Sequence, residues 1–191
     1  GALDGYKMLL PNLVYLAPIN REEYLAMLDW SLAYKEHPVA IRVPVGATVP
    51  ATRPVQTDYS ELNRYEVVER GKDVAILGLG NFFALGEQVH RLLQAQGIQA
   101  TLVNPRYISG IDTELLDNLA ADHRLVVALE DGALEGGVGE KIARHYGPTA
   151  VKTHCYGASK TFVDRYSPQD FLAANRLVDT MIAEDVVRLL G

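Results

Sequence analysis

The chain has 191 residues, 48% hydrophobic and 22% charged, and its 18 Lys+Arg against 24 Asp+Glu leave a net charge of -6, which argues against a nucleic-acid binder held by phosphate neutralisation. A mean hydropathy of 0.00 and the lack of any apolar run near the ~20 residues a bilayer requires exclude a spanning helix, and no secretory leader opens the chain. The lone Cys155 makes neither an internal disulfide nor a CxxC metal site, so the composition fits a soluble, reduced, cytoplasmic protein of one or two domains.

Gly1-Ala2-Leu3-Asp4 has no initiator Met and a strand follows almost at once, as expected for a piece of something longer, although an expression scar at Gly1 gives the same appearance. The apolar run 13–17 reads as that strand. Asn20, with Glu23 three residues on, opens a helix expected over 21–36. His37-Pro38 stops it, and 39–43 is a second strand ended by Pro44. A strand, a helix and a strand make a parallel βαβ pattern, so residues 11–45 look like the end of an α/β sheet. From Pro44 to Asn63 prolines, glycines, threonines and serines erase the periodicity, which predicts an extended linker and a domain boundary.

The second block starts with an edge strand at 65–69 and a buried strand at 74–77. A helix capped by Asn81 and ending at Gly97, a strand at 100–103 and a helix capped by Asp112 over 112–121 follow. A strand at 125–129, a Gly-rich turn, a helix at 138–146 and a strand at 150–154 complete the alternation. Ser167 and Pro168 then open one or two closing helices up to Leu190. The class implied is α/β, a three-layer α/β/α sandwich on a mostly parallel sheet, preceded by a partial βαβ unit.

Ligands of open α/β sheets sit beyond the carboxyl ends of the strands, which directs attention to the loops there. Gly78-Leu79-Gly80 between strand and helix invites a dinucleotide site, but Phe83 stands where a third glycine belongs and no acid ends the next strand, so a glycine-assisted tight turn is preferred. Gly132, Gly136, Gly137 and Gly139 could converge backbone N–H groups into an anion nest. Glu130, Asp131 and Glu135 would repel a phosphate there and no GK[ST] follows, which favours close packing against a neighbouring domain or subunit. Arg106 after Asn104-Pro105 is either an anion clamp or a surface residue paired with a helix carboxylate such as Asp112. Arg42 sits inside an otherwise apolar strand, where an unpaired charge is costly, and needs a partner. Histidines 37, 90, 123, 145 and 154 lack metal-ligand spacing, and the neighbours His154 and Cys155 point to opposite faces of a strand.

The run Pro11-Asn12-Leu13-Val14-Tyr15-Leu16-Ala17-Pro18, the Glu22-Glu23 helix and Pro38-Val39-Ala40-Ile41-Arg42-Val43-Pro44 resemble the end of the pyrimidine-binding domain of the 1-deoxy-D-xylulose-5-phosphate synthase family. Asp73-Val74-Ala75-Ile76-Leu77, Val103-Asn104-Pro105-Arg106-Tyr107-Ile108 and Glu130-Asp131-Gly132 with Gly136-Gly137-Val138-Gly139 are similar to its transketolase-type C-terminal domain. The resemblance implies that residues 1–45 end the pyrimidine domain, 46–64 are a linker and 65–191 form the C-terminal domain. It further implies a homodimeric transferase, dependent on thiamine diphosphate and Mg2+, that joins a two-carbon unit from pyruvate to glyceraldehyde 3-phosphate in isoprenoid biosynthesis. The family's cofactor-binding domain, catalytic glutamate and histidine loop precede the matched region. No catalytic, cofactor-binding or metal residue is therefore expected in this chain, which alone should neither bind the cofactor nor turn over pyruvate.

Its partners would be the rest of its own polypeptide and a second copy, with neither nucleic acid nor membrane. Its role would be dimerisation and active-site shaping, with Arg42 and Arg106 touching substrate. The family strand ends R-x-P-R-G, whereas Arg42-Val43-Pro44-Val45-Gly46 puts Val45 where a phosphate-holding arginine belongs, which leaves the acceptor substrate open. The alternatives are a stand-alone docking subunit or adaptor of a split transketolase-like or oxo-acid dehydrogenase enzyme, and a flavodoxin-like binder of a small ligand.

Overall fold

The computed structural model describes residues 12–43, 50–133, 136–158 and 168–191. Residues 1–4, Pro11, Pro44, Val45, Gly46, Glu135 and Ser167, on which expectations were placed above, lie outside them.

Asn20 caps the first helix as its spacing predicts: its side-chain oxygen accepts the Glu23 amide at 2.8 Å. Helix α1 (Arg21–Ala33) ends before residue 36, because Tyr34 turns into extended backbone and lays its ring on Trp30, centroid to centroid 4.4 Å. Strands β1 (Val14–Leu16) and β2 (Val39–Ile41) pair in parallel, with Val14 beside Val39 and Leu16 beside Ile41. Met27 is enclosed by Val14, Leu16, Tyr59 and Tyr107. Tyr59 belongs to the expected linker. It is 1% exposed, and its carbonyl accepts the Tyr107 hydroxyl at 2.8 Å, so this part of the connection is packed down instead of running through solvent.

The larger sheet contains β3 (Glu66–Glu69), β4 (Asp73–Gly78), β5 (Thr101–Asn104), β6 (His123–Ala133) and β7 (Lys152–Ala158), in the order β3-β5-β4-β6-β7. Only β3, at an edge, runs antiparallel. Successive side chains of a strand serve opposite faces. Leu77, Val103 and Val126 therefore pack under α3 (Thr113–Ala120) and α4 (Val138–Tyr146). Their neighbours Ile76, Leu102 and Val127 pack under α2 (Phe83–Ala95) and α6 (Asp179–Leu190), with α5 (Pro168–Ala174) between β7 and α6 in the chain. The three-layer sandwich on a mostly parallel sheet, preceded by a βαβ unit, is thus as the alternation predicts.

Two local expectations change. Asn81 does not cap α2; it lies inside a single 3-10 turn (Gly80–Phe82), and Phe82 precedes the helix with no side-chain cap. The glycines explain this path, since a Cβ on Gly78 would sit 2.7 Å from the Phe83 Cα, while Gly80 takes the left-handed φ of 55° that other residues rarely adopt. At Gly78 this is the glycine-assisted tight turn that the sequence favours over a dinucleotide site. The second change is at β6, which continues past Leu129 so that Glu130 still belongs to the strand.

Helix α6 is latched to β7 by Asp185, 3% exposed, which accepts the Tyr156 hydroxyl at 2.6 Å and two bonds from Arg176 at 2.8 and 2.9 Å. Burial pushes this carboxyl up, but bonds from Arg176, Tyr156 and Arg188 together outweigh it and hold the pKa at about 2. A depressed carboxylate contributes stability above its ordinary value of 3.8 that is lost as pH falls through about 2. Asp185→Asn is expected to cost about 2 kcal/mol at neutral pH. In thermal melts the gap between wild type and variant should close as the pH is lowered from 4 toward 2; a gap independent of pH would contradict the latch.

Candidate functional site

The carboxyl ends of β4 and β5, where an open α/β sheet takes its ligands, are covered by the chain itself. Asn104 ends β5, and Pro105 has no amide with which to extend the ladder. The Tyr107 amide then donates to the Pro105 carbonyl at 2.6 Å across Arg106, whose φ is 63°. A three-residue turn with a left-handed centre is strained. Three further bonds hold it. The Arg106 amide donates to Asn104 Oδ1 at 3.2 Å, the Ala17 amide to the Arg106 carbonyl at 2.6 Å, and the Ile108 amide to the Tyr15 carbonyl at 2.7 Å.

The Asn104 side-chain amide faces two carboxylates, donating to Glu23 Oε2 at 3.1 Å and to Glu66 Oε1 at 3.2 Å. Glu66 also accepts from Arg53 Nη2 at 3.0 Å and lies 3.7 Å from Arg106 Nη2. The Arg106 guanidinium, on a residue 6% exposed, stands 5.9 Å from the Tyr59 ring centroid, and its buried Nε has no hydrogen-bond partner. Arg106 is therefore not a surface residue paired with Asp112. That carboxylate caps α3 through the Leu115 amide and accepts the Tyr65 amide at 2.9 Å. Burial pushes the Glu23 carboxyl up, against the Ile19 amide, Asn104 and Arg106, so the junction favours a protonated Glu23 more than water does.

Arg42 follows β2, its amide bonded to the Leu16 carbonyl and its guanidinium 5.6 Å from the Tyr15 ring centroid. The two arginines thus bracket β1 from opposite edges, each against a tyrosine. Glu23, Asn104, Glu66 and Arg53 were not read as site residues. The available signal was Glu23, a carboxylate in register with Met27 and Tyr34 on an apolar helix face.

The Gly-rich turn is a nest already filled from within. Glu130, 5% exposed, accepts the Val138 amide at 3.0 Å and the Gly139 amide at 3.1 Å, so a strand carboxylate neutralises the amino end of α4. Added Cβ atoms would lie 2.5 Å from Glu130 at Gly137 and 2.8 Å from the Cys155 sulfur at Gly139. Gly137 and Gly139 therefore serve close packing within the chain. The Mg2+ diphosphate that the resemblance implies does not fit this nest, whose amides are committed to a carboxylate. Among the described residues no His, Cys, Asp and Glu side chains gather to hold a metal. Burial, with Glu130 and Glu140 nearby, pushes the Cys155 thiol up to about 11, and His154 turns instead to Tyr156, centroid to centroid 4.8 Å. The Cys155 thiol is therefore not poised as a nucleophile.

Residues 63–177 match the family described as transketolase, C-terminal domain. The chain belongs to that family. It is 30% identical over 199 residues to 1-deoxy-D-xylulose-5-phosphate synthase 2 of Jannaschia sp., the match taking in 100% of this chain and 31% of that protein. It is 32% identical over 191 residues to the 1-deoxy-D-xylulose-5-phosphate synthase of Gloeothece citriformis, taking in 96% and 29%. The chain therefore spans about 30% of the length of these curated relatives. Among solved structures, a split-gene transketolase described as an inactive β4 tetramer superposes with a TM-score of 0.76 at 25% identity, over 96% of this chain and 60% of that one. A transketolase of Pichia stipitis superposes with a TM-score of 0.71 at 13% identity, a likeness of fold. No helix among the described residues is long and apolar enough to cross a membrane.

Gly137→Ala is expected to cost about 1–3 kcal/mol by overpacking against Glu130. In a double-mutant cycle, Glu130→Ala and Gly137→Ala should cost less together than the sum of the single changes, because removing the carboxylate removes the clash. Strict additivity in denaturant melts would contradict a filled nest. Asn104→Ala, which strips the shared donor from two carboxylates and the brace from Arg106, is expected to cost about 2–3 kcal/mol by the same measurement.

Proposed function

We propose that the chain acts as the C-terminal part of a 1-deoxy-D-xylulose-5-phosphate synthase-like transferase, one that uses thiamine diphosphate and Mg2+ to join a two-carbon unit from pyruvate to glyceraldehyde 3-phosphate. The observation that carries this reading is a match that takes in 95–100% of the chain, and with it the βαβ unit, the connection and the C-terminal sheet alike, to proteins of that description. In this reading residues 1–45 end a pyrimidine-binding domain, 46–64 link it and 65–191 are the C-terminal domain. The chain's contribution is dimerisation and the shaping of an active site whose cofactor-binding and catalytic groups lie elsewhere, in a homodimeric cytoplasmic enzyme. Arg42 and Arg106 are assigned to the side facing substrate; the strained turn at Arg106, held by three bonds, supports a positional requirement at that residue.

A second reading, a separately encoded docking subunit, is favoured by the split-gene transketolase, of which the chain covers 60%.

Immunoblotting of the native product decides between them. A band several times larger than 21.0 kDa supports one polypeptide, and a band near 21.0 kDa supports a subunit. Titration of the 191-residue chain with thiamine diphosphate and Mg2+ in a calorimeter is expected to give no saturable heat, and saturable binding would overturn the assignment of the cofactor elsewhere. In the complete enzyme, Arg42→Ala is expected to raise a KM at least ten-fold with little change in melting temperature; an unchanged KM would remove Arg42 from the substrate side.

A further inference from the structure

Glu66 stands between two arginines and meets them differently. Its Oε1 accepts from Arg53 Nη2 at 3.0 Å and from the Asn104 amide at 3.2 Å. Its Oε2 faces Arg106 Nη2 at 3.7 Å, well beyond the ~2.8 Å of a charge-assisted hydrogen bond. The carboxylate is thus held by the oxygen remote from Arg106. Both of its holders are themselves fixed. The Arg53 guanidinium stands 5.5 Å from the ring centroid of Phe83, the first residue of α2, a cation–π contact that restrains the fork. Asn104 gives its other amide contact to Glu23 and accepts the Arg106 amide with its oxygen, so it has no freedom to follow a moving partner.

Arg106 is left with its charge balanced and its donors idle. Its side chain is 7% exposed, it rests against the Tyr59 ring, and among the described residues its buried Nε has no hydrogen-bond partner. A guanidinium withdrawn from water ordinarily meets a carboxylate fork to fork, which satisfies two donors at once. Here Glu66 lies only ~1 Å short of such contact and is restrained from closing it.

We propose that Arg53 is a positioning residue: by holding Glu66 through Oε1 it keeps that carboxylate off Arg106 and leaves the Arg106 donors to the oxyanion of a substrate. The inference rests on the reading given under Proposed function, in which Arg106 faces substrate. A carboxylate and a phosphate both present the paired oxygens that the fork accepts. Glu66 contributes through its charge, orienting the buried cation without consuming its hydrogen bonds. Released from Arg53, the same carboxylate becomes an internal competitor for Arg106, as Glu130 already is for the amides that it fills.

The test uses the complete enzyme with pyruvate and glyceraldehyde 3-phosphate as substrates. Arg106→Ala tells which oxyanion is held, the carboxylate or the phosphate, by the KM that it raises. Arg53→Ala is expected to raise the same KM about ten-fold and to leave kcat within about two-fold of wild type, while Glu66→Gln alone lowers that KM. Arg53→Ala combined with Glu66→Gln should bring it back to within about three-fold of wild type, because the competitor has lost its charge. Where Arg53→Ala fails to fold, Arg53→Gln carries the same comparison. A KM that stays raised in the double variant would make Arg53 a direct ligand of substrate and overturn the proposal. An unchanged KM in the folded Arg53 variant would reduce the pair to a structural contact and overturn it also, with Arg106 still facing substrate. Two unchanged KM values in Arg106→Ala would overturn the placing of Arg106 itself, and the proposal with it.

Discussion

Three residues of β1 register the two parts of the molecule against each other. The backbone of this strand is shared between β2 on one side and the turn around Arg106 on the other. A strand placed between two partners cannot slip by one residue without turning its buried side chains outward. Tyr15 and Ala17 face the core of the large sheet, and Val14 and Leu16 face Met27. Alternation along β1 therefore feeds two separate cores, and a slip would empty both.

The polar junction beside β1 plays a different part. Paired charges withdrawn from water contribute little net stability, because the desolvation cost offsets the attraction. What such a group supplies is intolerance of misplacement. Asn104 donates to two carboxylates on separate elements and braces the following turn with its oxygen, so displacement of α1, β3 or the turn leaves a buried polar group without its partner. Apolar packing of β1 gives the βαβ unit its adhesion, and Asn104 gives it an address.

The sandwich was legible because its signals are local. Apolar runs such as Val74–Leu77 mark doubly covered strands, and Asn20 and Asp112 mark helix starts that their own neighbours satisfy. The junction was illegible because its partners are distant in sequence. Glu23 carries the marks of an ordinary first-turn glutamate, and only the arrival of Asn104 turns it into a buried acid. Asn81 has the chemistry of a cap, but the tight approach of Phe83 to Gly78 and the left-handed backbone of Gly80 set the path of that turn. Arg106 was visible as a charge at a strand end, without any sign that Tyr59 would cover it. In the glycine-rich turn, local reasoning counted carboxylates as repellents of an anion; the fold uses one of them as the anion.

That last feature has a bearing on how the domain behaves among solutes. The acceptor at the amino end of α4 is covalently attached eight residues upstream of Val138, so it meets those amides without the cost of bringing a second molecule out of solution. Free phosphate or sulfate at millimolar levels competes poorly with a tethered carboxylate whose ordering cost is met by folding. The turn is thus a closed circuit in an otherwise familiar anion-binding geometry, and its chemistry is insulated from the metabolite pool around it.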